Sequence, residues 1–266
     1  MLECVVNISE GRDSGHLSAL ARELGGDLLD LHSDPDHHRS VFTLVGEHAP
    51  RVLASSVVRT LDIRRHSGVH PRIGIVDVVP FVPLHGATMD DAVAARNRFA
   101  EWAAADLGLP VFLYGPERTL PDIRRRAWRD LSPDVGPATP HPTAGAMCVG
   151  VRPPLVAYNV WLDGVDLTTA KRVAAEVRGP HVRTLGLQVG ESTQVSMNLV
   201  APDIVGPDTA FDAVRERTPV ARAELVGLLP AATLAVIPRS RWEELDLAAS
   251  RTIEWRLAHP PAGENR

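Results

Sequence analysis

Only two cysteines, Cys4 and Cys148, occur in the 266 residues, and each lies in an apolar, strand-like segment. They form no CxxC pair, which excludes a disulfide framework and a thiolate zinc site and points to a reduced compartment. Lysine is almost missing. Lys171 is the single lysine among 28 basic residues, and it sits in a segment that reads as an exposed helix, so most lysine-based chemistry is excluded. The formal net charge is −5, with no run of like charge, so the chain lacks the basic field that holds nucleic acid. No apolar stretch approaches the roughly 20 residues needed to span a bilayer, which predicts no membrane partner. Met1-Leu2-Glu3-Cys4 lacks the basic and then apolar pattern of a secretory leader, and the expected location is cytoplasmic.

What is present is an ordinary globular composition. With 44% hydrophobic and 23% charged residues, the chain can bury one large core or two smaller ones. The patterning predicts strands at 2–8, 27–31, 41–45 and 73–79, with helices at 16–24 and 49–61 between them. That order, strand-helix-strand-strand-helix-strand, is the split β-α-β or ferredoxin-like pattern. A long helix follows over 88–107. Thr88 is its expected cap, and Asp91 stands at capping-box spacing. A strand at 111–114 and a short helix at 120–128 come next, and the Pro/Gly/Thr-rich stretch 132–145 reads as a loop. The second half repeats the element order: strand 155–162, helix 169–178, strands 182–189 and 193–200, helix 208–216 and strand 224–228. A helical piece is expected over 242–259, ended by Pro260-Pro261, and the tail beyond it is expected to be disordered over 262–266. The fold class is therefore α/β (α+β). It consists of two ferredoxin-like subdomains, 1–145 and 146–259, each a mixed sheet with helices on one face, and a cleft between them suited to a ligand.

Four segments can carry chemistry. The loop 65–74 brings His66 and His70 together with Arg65 and Arg72 at the mouth of the apolar run 73–83, which only Asp77 interrupts. Gly68 frees the turn, and Pro71 biases His70 toward extended backbone, which holds an imidazole that titrates near neutrality on a fixed stalk. A solvated loop histidine is the plain alternative. His66 and His70 have the spacing of helical metal ligands, but Gly68 and Pro71 argue against a helix there. The second segment is Asp34-Pro35-Asp36-His37-His38-Arg39, preceded by His32. It can grip a carboxylate through arginine, bind a divalent metal through its histidines and aspartates, or be a charged hairpin turn. The third, Gly136 to Gly145, has neither a Walker lysine nor GxGxxG, and is a functional loop or a linker. In the fourth, Gln194-Val195-Ser196-Met197-Asn198, polar and apolar residues alternate, so one face lines the cleft or meets solvent.

Several segments together resemble the formiminotransferase domain family, the glutamate formimidoyltransferases. The matching pieces are Glu3 to Gly11, Arg39 to Gly46, Gly68 to Gly74 with Asp77, Pro80 to Pro83, Thr88 to Asp90, Val111 to Gly115, Asp134 to Pro137 and Leu225 to Pro230. They fall in order and span about residues 3 to 230. The resemblance is to a stand-alone, divergent member without a cyclodeaminase domain. The family usually has an acidic residue where His32 stands, an asparagine where His38 stands, and an aromatic in the region of Thr143 and Ala144.

The resemblance implies that the two subdomains hold a folate between them and that His70 is the catalytic acid/base. It places the folate stretch at Gly136, Pro137, Ala138, Thr139, Pro140, His141, Pro142, Thr143, Ala144 and Gly145. Arg39 and Arg72 are inferred as carboxylate partners, and Asn7, Glu10, His32 and His66 as further substrate-binding residues. The implied reaction moves the formimino group of N-formimino-L-glutamate to N5 of tetrahydrofolate, a co-substrate, and no metal is expected. A homodimer is also implied. Two other readings stand beside this one: a metal-dependent hydrolase built on His32, Asp34, Asp36, His37 and His38, and a non-catalytic small-molecule binder of the same fold.

Overall fold

The computed structural model describes residues 1–68 and 70–260; Val69 and residues 261–266, which include the tail 262–266 expected to be disordered, lie outside the described residues. The chain forms two compact units, Met1–Pro153 and Pro154–His259.

The first unit opens with β1 (Leu2–Ile8), α1 (Ser14–Leu24), β2 (Leu28–Asp34), β3 (Arg39–Val45), α2 (His48–Thr60) and β4 (Val76–Pro83), the predicted order. It continues with α3 (Met89–Leu107), β5 (Val111–Tyr114), α4 (Leu120–Arg126) and β6 (Met147–Val151). These strands make a six-stranded sheet in the order β2-β3-β1-β4-β6-β5. The pairs from β2 to β4 are antiparallel, whereas β6 lies parallel to both β4 and β5. Local signals set the helix starts. Asp13 accepts the His16 amide to cap α1, and Thr88 with Asp91 forms the predicted capping box of α3.

Strand alternation divides the side chains between two faces. Cys4, Val6, Ile8, Phe42, Leu44, Val79 and Phe81 pack against Leu17 and Leu20 of α1, Leu53 and Val57 of α2, and Phe99 of α3. Val78, Phe112, Tyr114 and Cys148 form a smaller cluster on the opposite face, under Ile123 of α4. Helices thus cover both faces at the β4-β6-β5 end, where the sequence predicts them on one. The strand-like segment around Cys148, placed by the sequence beyond the 145/146 boundary, is a fully buried strand, 147–151, parallel to β4 and β5. The first unit therefore extends beyond the predicted 145/146 boundary.

The second unit contains β7 (Val156–Leu162), α5 (Leu167–Val177), β8 (Val182–Val189), β9 (Ser192–Leu199), α6 (Pro207–Arg215) and β10 (Val220–Val226). Its sheet, in the order β10-β7-β9-β8, is antiparallel throughout. Val160, Val195, Met197 and Leu225 of the sheet pack against Val173 of α5 and Phe211 of α6. Over 194–198, Val195 and Met197 enter this core, whereas on the other face Gln194 is fully buried, Ser196 partly buried and Asn198 exposed.

The helical piece expected over 242–259 is broken. Two short helices, α7 (Ala231–Ala235) and α8 (Ile253–Ala258), flank an irregular stretch. Asp246 adopts the left-handed conformation at φ 55°, and its carboxylate accepts the Leu225 amide at 2.8 Å. Capping the edge of β10 in this way is incompatible with continuing a helix. Among the described residues, no helix is long and apolar enough to cross a membrane.

One ionic joint ties β3, β4 and α4 together. Asp77 has no exposed surface, and it accepts from Arg39 Nη1 at 2.7 Å and from both terminal nitrogens of Arg124 at 3.1 and 2.5 Å. Burial pushes its carboxyl upward, but the two guanidinia outweigh burial and hold it at about 2. The unfolded chain binds a proton at Asp77 below pH ~4, while the folded chain resists until pH ~2. The joint therefore contributes about 2 kcal/mol above this window, and that contribution is lost as the pH falls through it. In chemical denaturation from pH 5 to pH 2, Asp77→Asn should flatten the acid limb of stability and be less stable than the parent at pH 7. Parallel curves for the two proteins would contradict the assignment.

Candidate active site

The helix-free face of the β2-β3-β1 end carries Asn7, Arg39 and His32 on its strands. Asn7 and His32 both register opposite Val41, so they lie in one line across the sheet. Asn7 accepts the Arg39 Nε proton through Oδ1 at 3.2 Å, which fixes the guanidinium against Asp77. Arg39 and Arg124 share this single carboxylate, so the joint retains one positive charge in excess.

His70 stands beside this joint. Its Nδ1 lies 2.8 Å from the Pro71 carbonyl, which can only accept, so the proton is on Nδ1 and the Nε2 lone pair is the basic position. Burial, followed by the nearby Arg39, pushes the imidazole down to about 3, only partly offset by Asp77. At neutral pH His70 is therefore an uncharged base.

The loop before His70 is seated on the β2–β3 turn. A Cβ at Gly68 would lie 2.4 Å from the His37 carbonyl oxygen, so only glycine permits this approach. His66 donates from Nε2 to the His38 carbonyl at 2.7 Å and accepts from Arg72 through Nδ1 at 2.5 Å. Both ring nitrogens are engaged in a way that requires a neutral ring, in keeping with the downward push that burial exerts on it. Arg72 also donates to the carbonyls of Gly68 and His70, at 2.8 and 2.5 Å. All three acceptors are neutral, so Arg72 shapes the loop while adding its positive charge to the site.

Glu10 sits at the adjoining turn. Its Oε1 accepts the amides of Gly11, Arg12 and Asp13 at 2.7–3.0 Å and faces His38 Nδ1 at 3.7 Å. Burial works to raise this carboxyl, but those bonds and His38 outweigh it. Across the turn, the Asp34 carboxylate accepts His37 Nδ1–H at 2.7 Å. The ring centroids of His37 and His70 are 6.3 Å apart at 71°, an edge-to-face arrangement. Asp36 is exposed at the tip of the turn. Among the described residues, no three His, Cys, Asp or Glu side chains gather in a group that could hold a metal ion.

The segment Gly136–Gly145 is anchored at both ends. Val135 pairs with Val111 at one end. At the other, His141 and Gly145 exchange backbone bonds of 2.8 and 2.9 Å, and His141 Nδ1 accepts the amides of Thr143 and Ala144. Gly145, at φ 74°, lies against Ile73, where a Cβ would come within 2.4 Å of the carbonyl oxygen. The Thr143 carbonyl accepts the Ile63 amide, and the Ala144 carbonyl accepts the Ile75 amide. This binds the loop end to both flanks of the His70 loop, while Gly136–Pro140 remain exposed.

The structure thus brings His70, Arg39, Asn7, Arg72, His66 and Glu10 into one region. His32 is placed on the same face, one strand further out. Sequence reasoning missed Arg124; it singled out Asp34 and His37 as possible carboxylate or metal ligands, but not as a bonded pair beside His70. The lone Asp77 in an apolar strand was the available signal that a buried cation partner had to exist.

The sequence pattern of the formiminotransferase domain, N-terminal subdomain, matches residues 1–152. A glutamate formimidoyltransferase of Streptococcus pyogenes serotype M1 is 34% identical over 270 residues, covering 88% of this chain and 90% of that protein. Its counterpart from Thermoplasma acidophilum is 30% identical over 272 residues, covering 86% and 88%. The formimidoyltransferase-cyclodeaminase of Sus scrofa is 33% identical over 272 residues, and the match spans half of that longer protein. With the subdomain pattern and about nine-tenths of each shorter relative in agreement, the chain belongs to the formiminotransferase family.

Proposed function

We propose that this protein transfers the formimino group of N-formimino-L-glutamate to N5 of tetrahydrofolate, with His70 as acid/base. The observation that carries the reading is the His70 environment: a neutral imidazole, its Nδ1 proton held by a carbonyl, beside an arginine pair with one charge in excess. The donor bears carboxylates, which such a charge attracts. The relatives named as glutamate formimidoyltransferases support the choice of donor.

The chemistry follows from the tautomer. The N5 amine attacks the amidine carbon, forming the new C–N bond, while Nε2 of His70 takes the N5 proton. The tetrahedral intermediate then expels glutamate: its C–N bond breaks, and the departing nitrogen takes the proton back from His70. Arg39 and Arg72 supply positive charge for the donor carboxylates. The Gly136–Gly145 loop is assigned to tetrahydrofolate. Holding both substrates together supplies a further share of the acceleration.

Glutamate release from N-formimino-L-glutamate should require tetrahydrofolate. His70→Ala should lower kcat by about 10²–10⁴-fold with the circular dichroism spectrum unchanged, the range expected for removal of an acid/base group. Near-parental turnover by this variant would remove His70 from the reaction. Gly145→Ala strains the left-handed loop end, and should raise the KM for tetrahydrofolate several-fold more than the KM for N-formimino-L-glutamate. Equal effects on both would argue against the loop assignment.

A further inference from the structure

Building on the proposed reaction, we infer that Asp34 and His37 form a positioning pair that orients His70 and raises its basicity as it takes up the proton. Three observations converge. First, the pair is rigid. Asp34 Oδ2 accepts the His37 ring proton at 2.7 Å, while Oδ1 accepts the backbone amides of Asp36 and His37, each at 2.8 Å. The carboxylate is thereby pinned to its own turn, and the His37 proton is fixed on Nδ1. Second, His37 is buried and meets His70 edge to face, the rings 71° apart with centroids at 6.3 Å. Third, the turn and the His70 loop are locked together, because Gly68 lies against the His37 carbonyl and His66 binds the His38 carbonyl.

Electrostatics supplies the reason for the arrangement. The groups facing His70 are Arg39 from β3, Arg124 from α4, Asp77 from β4, Arg72 from its own loop, and His37 with Asp34 from the turn. The first four carry a net positive charge, which resists proton uptake by the imidazole. Asp34 is the negative group on the turn side. Burial works to raise its carboxyl, but the His37 ring together with the backbone amides of His37 and Asp36 outweighs burial and keeps it ionised. An ionised carboxylate acting through a hydrogen-bonded imidazole stabilises positive charge developing on the neighbouring ring, and it holds that ring against rotation.

Asp34→Asn and His37→Phe test the pair. The asparagine keeps an oxygen for the turn amides but removes the charge and sets an N–H against the His37 proton. The phenylalanine keeps a ring against His70 and breaks the link to Asp34. Each should lower kcat on the order of 10- to 100-fold, the usual cost of losing an orienting partner, with both KM values within about twofold. The rate of His70 carbethoxylation by diethylpyrocarbonate at pH 7, followed by peptide mass mapping, should fall at least about threefold in both variants. It reads Nε2 nucleophilicity without either substrate. Parental kcat and parental carbethoxylation would overturn the inference, as would a rise in KM or a loss of thermal stability with kcat intact, which would mark a purely structural turn. If the parent protein releases no glutamate, the proposed reaction fails. The carbethoxylation rates then decide separately whether Asp34 and His37 act on His70.

Discussion

The buried carboxylate of Asp77 is the constraint on which the rest of the site depends. Removing a carboxylate from water costs several kcal/mol unless its lone pairs are filled. Here they are filled by Arg39, by Arg124 and by the Ile73 amide at 2.9 Å. These partners come from β3, from α4 and from the end of the His70 loop. Satisfying one buried charge therefore fixes three segments that share no local sequence signal. Breaking it leaves two arginines facing each other, which is why the joint serves both the fold and the chemistry.

The same joint sets a conflict within the site. Two guanidinia against one carboxylate attract an anionic donor, yet they lower the proton affinity of the base beside them. A base that weak is ready at neutral pH but drives proton removal poorly, since the most effective catalytic group has proton affinity near the working pH. On the proposed reaction, the donor itself eases the conflict. Its carboxylates offset the excess positive charge as they bind, so His70 regains basicity only when a substrate is present. The free protein is thus poised for an anionic ligand rather than for proton transfer to solvent.

Much of the fold was legible in the sequence because its signals are local. The strands 2–8, 111–114 and 182–189 follow from apolar patterning, and the start of α3 from Thr88 and Asp91. The segment around Cys148 reads as strand-like, but its place in the first sheet was not legible because its partners, β4 and β5, are parallel and distant in sequence. Arg124 was missed for a related reason. It is one of three successive arginines on a short helix: Arg125 pairs with Asp122 and Arg126 with Asp130, while Arg124 alone turns inward to Asp77. Nothing in the run of three distinguishes them; the packing of α4 over Ile123 does. Of the helix expected over 242–259 only Ile253–Ala258 forms, and Leu245 and Leu247 enter the core from a bent segment pinned through Asp246.

The loop residues carry a different lesson. His66, Arg72 and Glu10 were read as ligand-binding groups: Glu10 with the family resemblance, His66 and Arg72 also for their crowding beside His70. In the structure their hydrogen-bonding atoms meet the protein itself: His66 and Arg72 hold the loop, and Glu10 holds its turn. This density of internal bonds is what the proposed acid/base role of a loop histidine requires. Between β2 and β3 and again before β4 the backbone lacks sheet partners, and without such bonds the imidazole would sample many positions at a cost in rate. Polar residues crowded around a catalytic loop therefore divide into two kinds. Those whose donors and acceptors are satisfied by backbone are its scaffold. Those left facing charge or another ring, here Arg39, His37 and His70, are where the proposed chemistry is set.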